Sequence, residues 1–203
     1  PPHEWSLDFP HLMLRAKALK YKQGKTRPRD KILSNTDGVG TLGGIPVISE
    51  IVNATNRSGI GRKMLDSVLG VHPQARVPEY HSNTLRKQLK SRIGRQSEGE
   101  AAGPTTGKVA LFTTCYNNVN EPDVGMDLVA VFEHNGVPIS ILSKEKCCGM
   151  PKLELGDLEA VQTAKDANLP ILEKLVDEGW DIVAPIPSCV LMFKQELPLM
   201  FPD

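Results

Sequence analysis

The sequence predicts an α/β fold: a parallel sheet of three or more strands with flanking helices, preceded by a mainly helical and irregular connector. Three observations predict it. The second half holds three short apolar, β-rich runs of the type buried in parallel sheets. Each run is followed by a segment of helical character. The first half offers no convincing pair of strands. Strand–helix–strand–helix–strand–helix alternation implies parallel pairing through right-handed crossovers.

Residues 1–100 read as helix and turn. Residues 12–20 have helical spacing, with Leu12, Ala16 and Leu19 on one stripe. Pro28, Gly38, Gly40, Gly43, Gly44 and Pro46 then mark a turn-rich region. A second helix is expected over 61–69, closed by Gly70. Residues 96–107, rich in Gly, Ser, Thr and Glu, read as a flexible linker. This half is not expected to fold alone.

From 108 onward the elements follow in order. Residues 108–114 are the first strand, and 123–135 a helix with Met126, Val129, Ala130 and Phe132 inward and Gly136 closing it. Residues 137–142 are the second strand. Residues 156–178 are helical, with Leu158, Val161, Ala164, Leu172, Leu175 and Val176 inward, Pro170 as an interruption and Gly179 as the cap. Residues 181–186 are the third strand, and Ser188 caps a last helix over 189–197.

All four cysteines lie in this half, at Cys115, Cys147, Cys148 and Cys189. One follows the first strand, two the second and one the third. The predicted sheet therefore carries all four at its carboxyl edge, where open α/β sheets bind ligands. A disulfide between adjacent cysteines departs from ordinary geometry, so Cys147-Cys148 points to metal or redox chemistry. Four thiolates suit tetrahedral zinc or an iron–sulfur cluster. The gaps are 31 residues between Cys115 and Cys147 and 40 between Cys148 and Cys189, so the fold gathers the ligands. The short C-x2-C spacing of small structural zinc modules is missing.

Three alternatives stay open from the residues alone: a zinc-binding structural module, a dithiol pair reacting through Cys147 and Cys148, and buried free cysteines. Structural disulfides fit poorly, since nothing points to export. Gly149 permits positive φ, Pro151 stiffens the exit from the pair, and Pro185 and Pro187 frame Cys189. Lys144 and Lys146 would lower thiolate pKa values if they face the pair, though surface lysines fit equally well. His134 reads as a surface residue, and His3, His11, His72 and His81 lack ligand spacing. Thr105-Thr106-Gly107-Lys108 precedes a strand instead of following one, which excludes a phosphate loop.

The net charge is zero but unevenly spread: 17 Lys+Arg against 9 Asp+Glu in residues 1–100, and 7 against 15 in residues 101–203. With few aromatics for base stacking, the basic half reads as a solvated surface or an acidic partner's contact, not a nucleic-acid site. No apolar run reaches the roughly 18 residues that span a bilayer. The chain begins Pro1-Pro2 without Met and stops abruptly after Leu199-Met200-Phe201-Pro202-Asp203, so a slice of a longer polypeptide is expected.

Cys115, then Cys147-Cys148-Gly149-Met150-Pro151-Lys152-Leu153-Glu154-Leu155-Gly156-Asp157, then Pro187-Ser188-Cys189-Val190-Leu191-Met192-Phe193-Lys194 resemble the cysteine-rich CCG domain. That domain occurs in iron–sulfur components of heterodisulfide reductase, anaerobic glycerol-3-phosphate dehydrogenase and glycolate oxidase. Pro1-Pro2-His3-Glu4-Trp5-Ser6-Leu7-Asp8-Phe9-Pro10-His11-Leu12-Met13-Leu14-Arg15 resembles the segment that follows a ferredoxin-like module in bacterial heterodisulfide-reductase-related proteins.

The resemblance implies an electron-relay oxidoreductase component in which Cys115, Cys147, Cys148 and Cys189 hold an iron–sulfur cluster, [4Fe–4S] or a noncubane variant. It implies a connector over 1–107 and the N-terminal half of a CCG domain over 108–203. A ferredoxin-like module would stand upstream and a second cysteine-rich half downstream. The redox partner would be a flavoprotein, a quinone-linked protein or a rubrerythrin-like protein, with a cytoplasmic location or peripheral attachment to the inner membrane through partners. Many such domains end in C-x2-C, whereas here Met192 stands three residues after Cys189. A thioether is a poor ligand to iron, which leaves the cluster type open.

Overall fold

The computed structural model describes residues 7–95, 97–142 and 144–202; His3 and the rest of 1–6, Gln96, Ser143 and Asp203 lie outside it. Three parallel strands, β1 (Val109–Leu111), β2 (Ile139–Ile141) and β3 (Asp181–Val183), form a sheet in the order β2-β1-β3. In register, Val109 pairs with Ile139 and Asp181, and Leu111 with Ile141 and Val183. The α/β class and the parallel pairing are as the sequence predicts. The strands are shorter than the apolar runs that predict them.

The two-residue alternation of a strand divides the core in two. Val109, Leu111, Ile139 and Ile141 pack with Leu85 and Leu89 of the first half and with Val129 of α8 (Pro122–His134). Ala110 and Phe112 face the other way, onto Leu153 of α9 (Met150–Leu155) and Val161 and Leu172 of α10 (Leu158–Asp177). Both faces are covered, which is why the strands read as continuous apolar runs.

The first half is more helical than expected. Preceding the sheet are α1 (Phe9–Lys22), α2 (Pro28–Leu33), α3 (Thr36–Gly43), α4 (Pro46–Arg57), α5 (Gly59–Leu69) and α6 (Leu85–Gln88). The expected turn region 28–46 is thus three helix starts. Pro28 and Pro46 occupy first-turn positions, where a missing N–H costs nothing. Asn35 caps α3, accepting from Gly38 N at 3.4 Å. Gly40 and Gly43 are buried contact points of α3, not turn residues. The helix read at 61–69 is α5, and Gly70 closes it at φ 60°.

On α1 the buried stripe differs from the one expected. Leu12 and Leu19 are exposed, while Leu14 packs against the core. In α8 the inward set is Gly125, Val129, Met126, Leu128 and Phe132, and Ala130 is exposed. The helix expected over 156–178 is α10, which starts two residues later, and a further helix, α9, precedes it. Gly156, at φ 91°, ends α9, and the Asp157 side chain caps α10. A Cβ at Gly156 would stand 2.6 Å from the Lys17 carbonyl, so glycine lets α1 lie against this corner.

Pro170 does not interrupt α10, which runs unbroken to Asp177. Its ring is on the exposed side, where the carbonyl it frees is open to solvent. Leu158 and Val176 are exposed, and Asn168 joins the inward stripe instead. The last helix starts earlier than expected: Ile186 caps α11 (Pro187–Leu191) without a side-chain bond from Ser188. It then widens into a π-helical turn, Met192–Glu196, before α12 (Leu197–Met200). No helix among the described residues is long and apolar enough to cross a membrane.

Candidate metal centre

The chain leaves central β1 toward β2 on one side and later reaches β3 on the other, and the cysteines sit where these paths diverge. Cys115 opens α7 (Cys115–Val119), Cys147 and Cys148 immediately precede α9, and Cys189 lies in the first turn of α11. All four are unpaired by disulfides; Cys147, Cys148 and Cys189 are buried and Cys115 is half-buried. The Cys115 thiol donates to Cys147 Sγ at 3.8 Å. Cys148 is next to Cys147 in the chain, and Cys147, Cys148 and Cys189 lie in one buried cluster with Cys115 packed against it. The structure therefore brings together all four residues singled out in the sequence, as a string along one edge.

Protons are distributed unevenly along that string. Cys147 is lowered well below the usual thiol range, chiefly by the neighbouring Cys115 and Cys148 thiols and then by Thr36 and the Gly149 N–H, against the opposing effect of burial. Cys189 is lowered chiefly by the Cys148 thiol. The two donors move the other way: Cys115 and Cys148 are raised by the same bonds and by burial. Metal ligation requires the thiolate, the form that the downward shifts at Cys147 and Cys189 favour. Lys144 and Lys146 are exposed, and the dominant causes lie in the thiols, Thr36 and Gly149.

Backbone geometry around the cysteines is unusual on two sides. Thr114, just before Cys115, stands at φ 60° and ψ 152°, a region essentially confined to glycine. Its hydroxyl accepts from Asn117 N at 3.2 Å and donates to Asn117 Oδ1 at 3.1 Å, holding the start of α7. Gly149, after the pair, lies at φ 99°, the positive φ expected of it. Met192 is fully buried, with its Cε 3.5 Å from where a Gly149 Cβ would be. The thioether thus packs beside the pair.

Several residues that sequence reasoning missed hold the loop between β2 and the pair. Asn168 is buried; it accepts from Lys146 N at 2.9 Å and donates to the carbonyls of Lys146 and Cys147 at 3.2 and 3.3 Å. The Glu145 side chain accepts from Thr113 Oγ1 and pairs with Arg86 at 2.5 Å, while Arg86 also donates to Leu142 O at 3.0 Å. From the first half, both Asp37 carboxylate oxygens accept from Cys147 N, at 3.0 and 3.1 Å. A polar residue at a core position of α10 was the available signal for Asn168; nothing local marked Asp37, which is 110 residues from its partner.

These loops and spacings coincide with a known family. Residues 109–194 match the family described as "Cysteine-rich domain", CCG. Relatives extend the likeness beyond it. The chain is 28% identical over 188 residues to one of the subunits of the anaerobic glycerol-3-phosphate dehydrogenase of Escherichia coli (strain K12), covering 92% of this chain and 45% of that protein. It is 38% identical over 96 residues to "Lactate utilization protein A" of Bacillus thuringiensis (strain Al Hakam), covering 47% of this chain and 38% of that protein. The chain thus spans less than half the length of these curated relatives. No solved structure matches it.

In kind, the four thiols fit an iron–sulfur cluster: they come from three separate segments of the chain into a mainly apolar cluster. Zinc is the alternative occupant of the same thiols. Tetrahedral zinc with Zn–S near 2.3 Å sets its sulfurs about 3.8 Å apart, and Cys115–Cys147 has that separation. Yet among the described residues no group of three or more His, Cys, Asp or Glu closes around one ion position.

Proposed function

We propose that this chain is an electron-transfer component of an iron–sulfur oxidoreductase, with Cys115, Cys147, Cys148 and Cys189 as the ligands of a [4Fe–4S]-type cluster. The observation that carries the reading is the gathering of the four cysteines at the carboxyl edge of one sheet. When bound, the cluster supplies one-electron chemistry. The chain's own contribution is to hold the thiolates, bury them in an apolar cluster and fix the Cys147 loop through Asn168 and Asp37. The similarity to a component of a dehydrogenase and to lactate utilization proteins supports an oxidoreductase setting.

In this reading residues 1–107 are the connector and 108–203 the N-terminal half of the CCG unit. The full-length protein adds a ferredoxin-like module and a second cysteine-rich half, and works in the cytoplasm or peripherally at the inner membrane with a redox partner protein. Single Cys→Ser variants test the ligand assignment. Each of C115S, C147S, C148S and C189S should lower bound iron and change the electron paramagnetic resonance (EPR) spectrum of the anaerobically prepared full-length protein. A variant that keeps wild-type iron and an unaltered spectrum removes that cysteine from the ligand set.

A further inference from the structure

We propose that Thr36 and Asp37, in the first turn of α3, are positioning residues that set the reduction potential of the centre held by the four cysteines, and that they act in opposite directions. The inference rests on the iron–sulfur reading above and assigns the first half of the chain a role beyond spacing modules apart. Both oxygens of Asp37 accept the Cys147 N–H, at 3.0 and 3.1 Å. Neighbouring Thr36 lines, with Asp37, one cavity beside Cys147 and another beside Cys115. One helical turn thus places a negative charge and a neutral donor against the same two ligands, on a site that is largely buried.

The two side chains pull the centre differently. A carboxylate beside the ligand loop opposes the arrival of an electron, and partial burial leaves that charge less screened than in water. Lys146 and Lys152 face the same carboxylate and offset part of its field. A hydroxyl donating to a ligating sulfur withdraws charge from it and favours the reduced state. Removing the Asp37 charge should therefore raise the potential, and removing the Thr36 hydroxyl should lower it.

The test uses the full-length protein, reconstituted anaerobically with iron and sulfide and titrated redox-potentiometrically with EPR detection. D37N keeps an oxygen for the Cys147 N–H and should shift the midpoint upward. T36V keeps the side-chain shape and should shift it downward, and T36S should return it to the wild-type value. In iron-free protein, amide hydrogen exchange at Cys147 should be unchanged in D37N and faster in D37A. A wild-type protein that takes up no iron overturns the reading on which this inference rests. A loaded wild type in which both variants leave the potential unmoved, or move it the same way, overturns this inference alone. If the variants fail to load, unchanged Cys147 exchange in D37A overturns the role of Asp37.

Discussion

Replacing Asn168 should unpin the loop that carries the cysteine pair. Its amide is 1% exposed and makes three hydrogen bonds, accepting from Lys146 N and donating to Lys146 O and Cys147 O. A buried bond contributes about 1 kcal/mol net, and a partner left without one adds its own desolvation cost. N168A should therefore lose ~2–4 kcal/mol. The near-isosteric N168D is the sharper perturbation. It retains an acceptor for the Lys146 N–H but sets a carboxylate oxygen against two carbonyls that had received donors. At neutral pH it should be at least as unstable as N168A, and it should recover on acidification as a protonated carboxyl regains a donor. Urea unfolding of the iron-free protein, followed by circular dichroism, reads this as a lower midpoint at unchanged slope. A loss under about 0.5 kcal/mol in N168A, or wild-type stability of N168D at neutral pH, would refute the clamp.

Thr114 and His11 yield two more predictions. Thr114 stores about 1–3 kcal/mol in its backbone, and both T114A and T114G lose its bonds to Asn117. Glycine relieves the strain at an entropic cost of ~0.4–1 kcal/mol, so T114G should be the more stable of the two by up to ~2 kcal/mol; the usual order, alanine above glycine, contradicts this. His11 bridges Asp8 and Glu196, the latter at 3.1 Å, and its pKa is raised above 6.5, chiefly by the bond to Asp8 and next by that to Glu196. A raised native pKa means that the stabilisation is complete below 6.5 and fades as pH climbs through the native value. H11Q should thus lower the Tm more at about pH 5.5 than at about pH 9; equal losses at both would dissociate the ion pairs from stability.

The sheet and its cysteine edge were legible because they are written in local signals: three apolar runs, each ending at a cysteine-bearing loop, impose the layout whatever surrounds them. The first half was not, because the residues that decide it have two meanings. Pro28 and Pro46 look like breakers yet begin helices, and Gly40 and Gly43 look like turn residues yet allow α3 to pack closely. The Gly156 corner was read as a helix start because its left-handed φ is invisible until α1 is laid against it. Within the site, the four thiols can be named from their places after the three predicted strands, but their supports cannot. Asp37 and Thr36, which lie beside Cys147, and Arg86, which holds the loop before it, come from the first half and reach this edge only through tertiary packing.

The central claim, that four cysteines on this edge hold an iron–sulfur cluster, is tested most directly by metal and acid-labile sulfide analysis of the anaerobically purified full-length protein beside the C115S/C147S/C148S/C189S variant. The account predicts iron and sulfide together in the wild type, at roughly four of each per cluster for a cubane centre, and a loss of that complement in the quadruple variant. Zinc in place of iron, no metal at all, or an iron and sulfide content untouched by the four substitutions would contradict it.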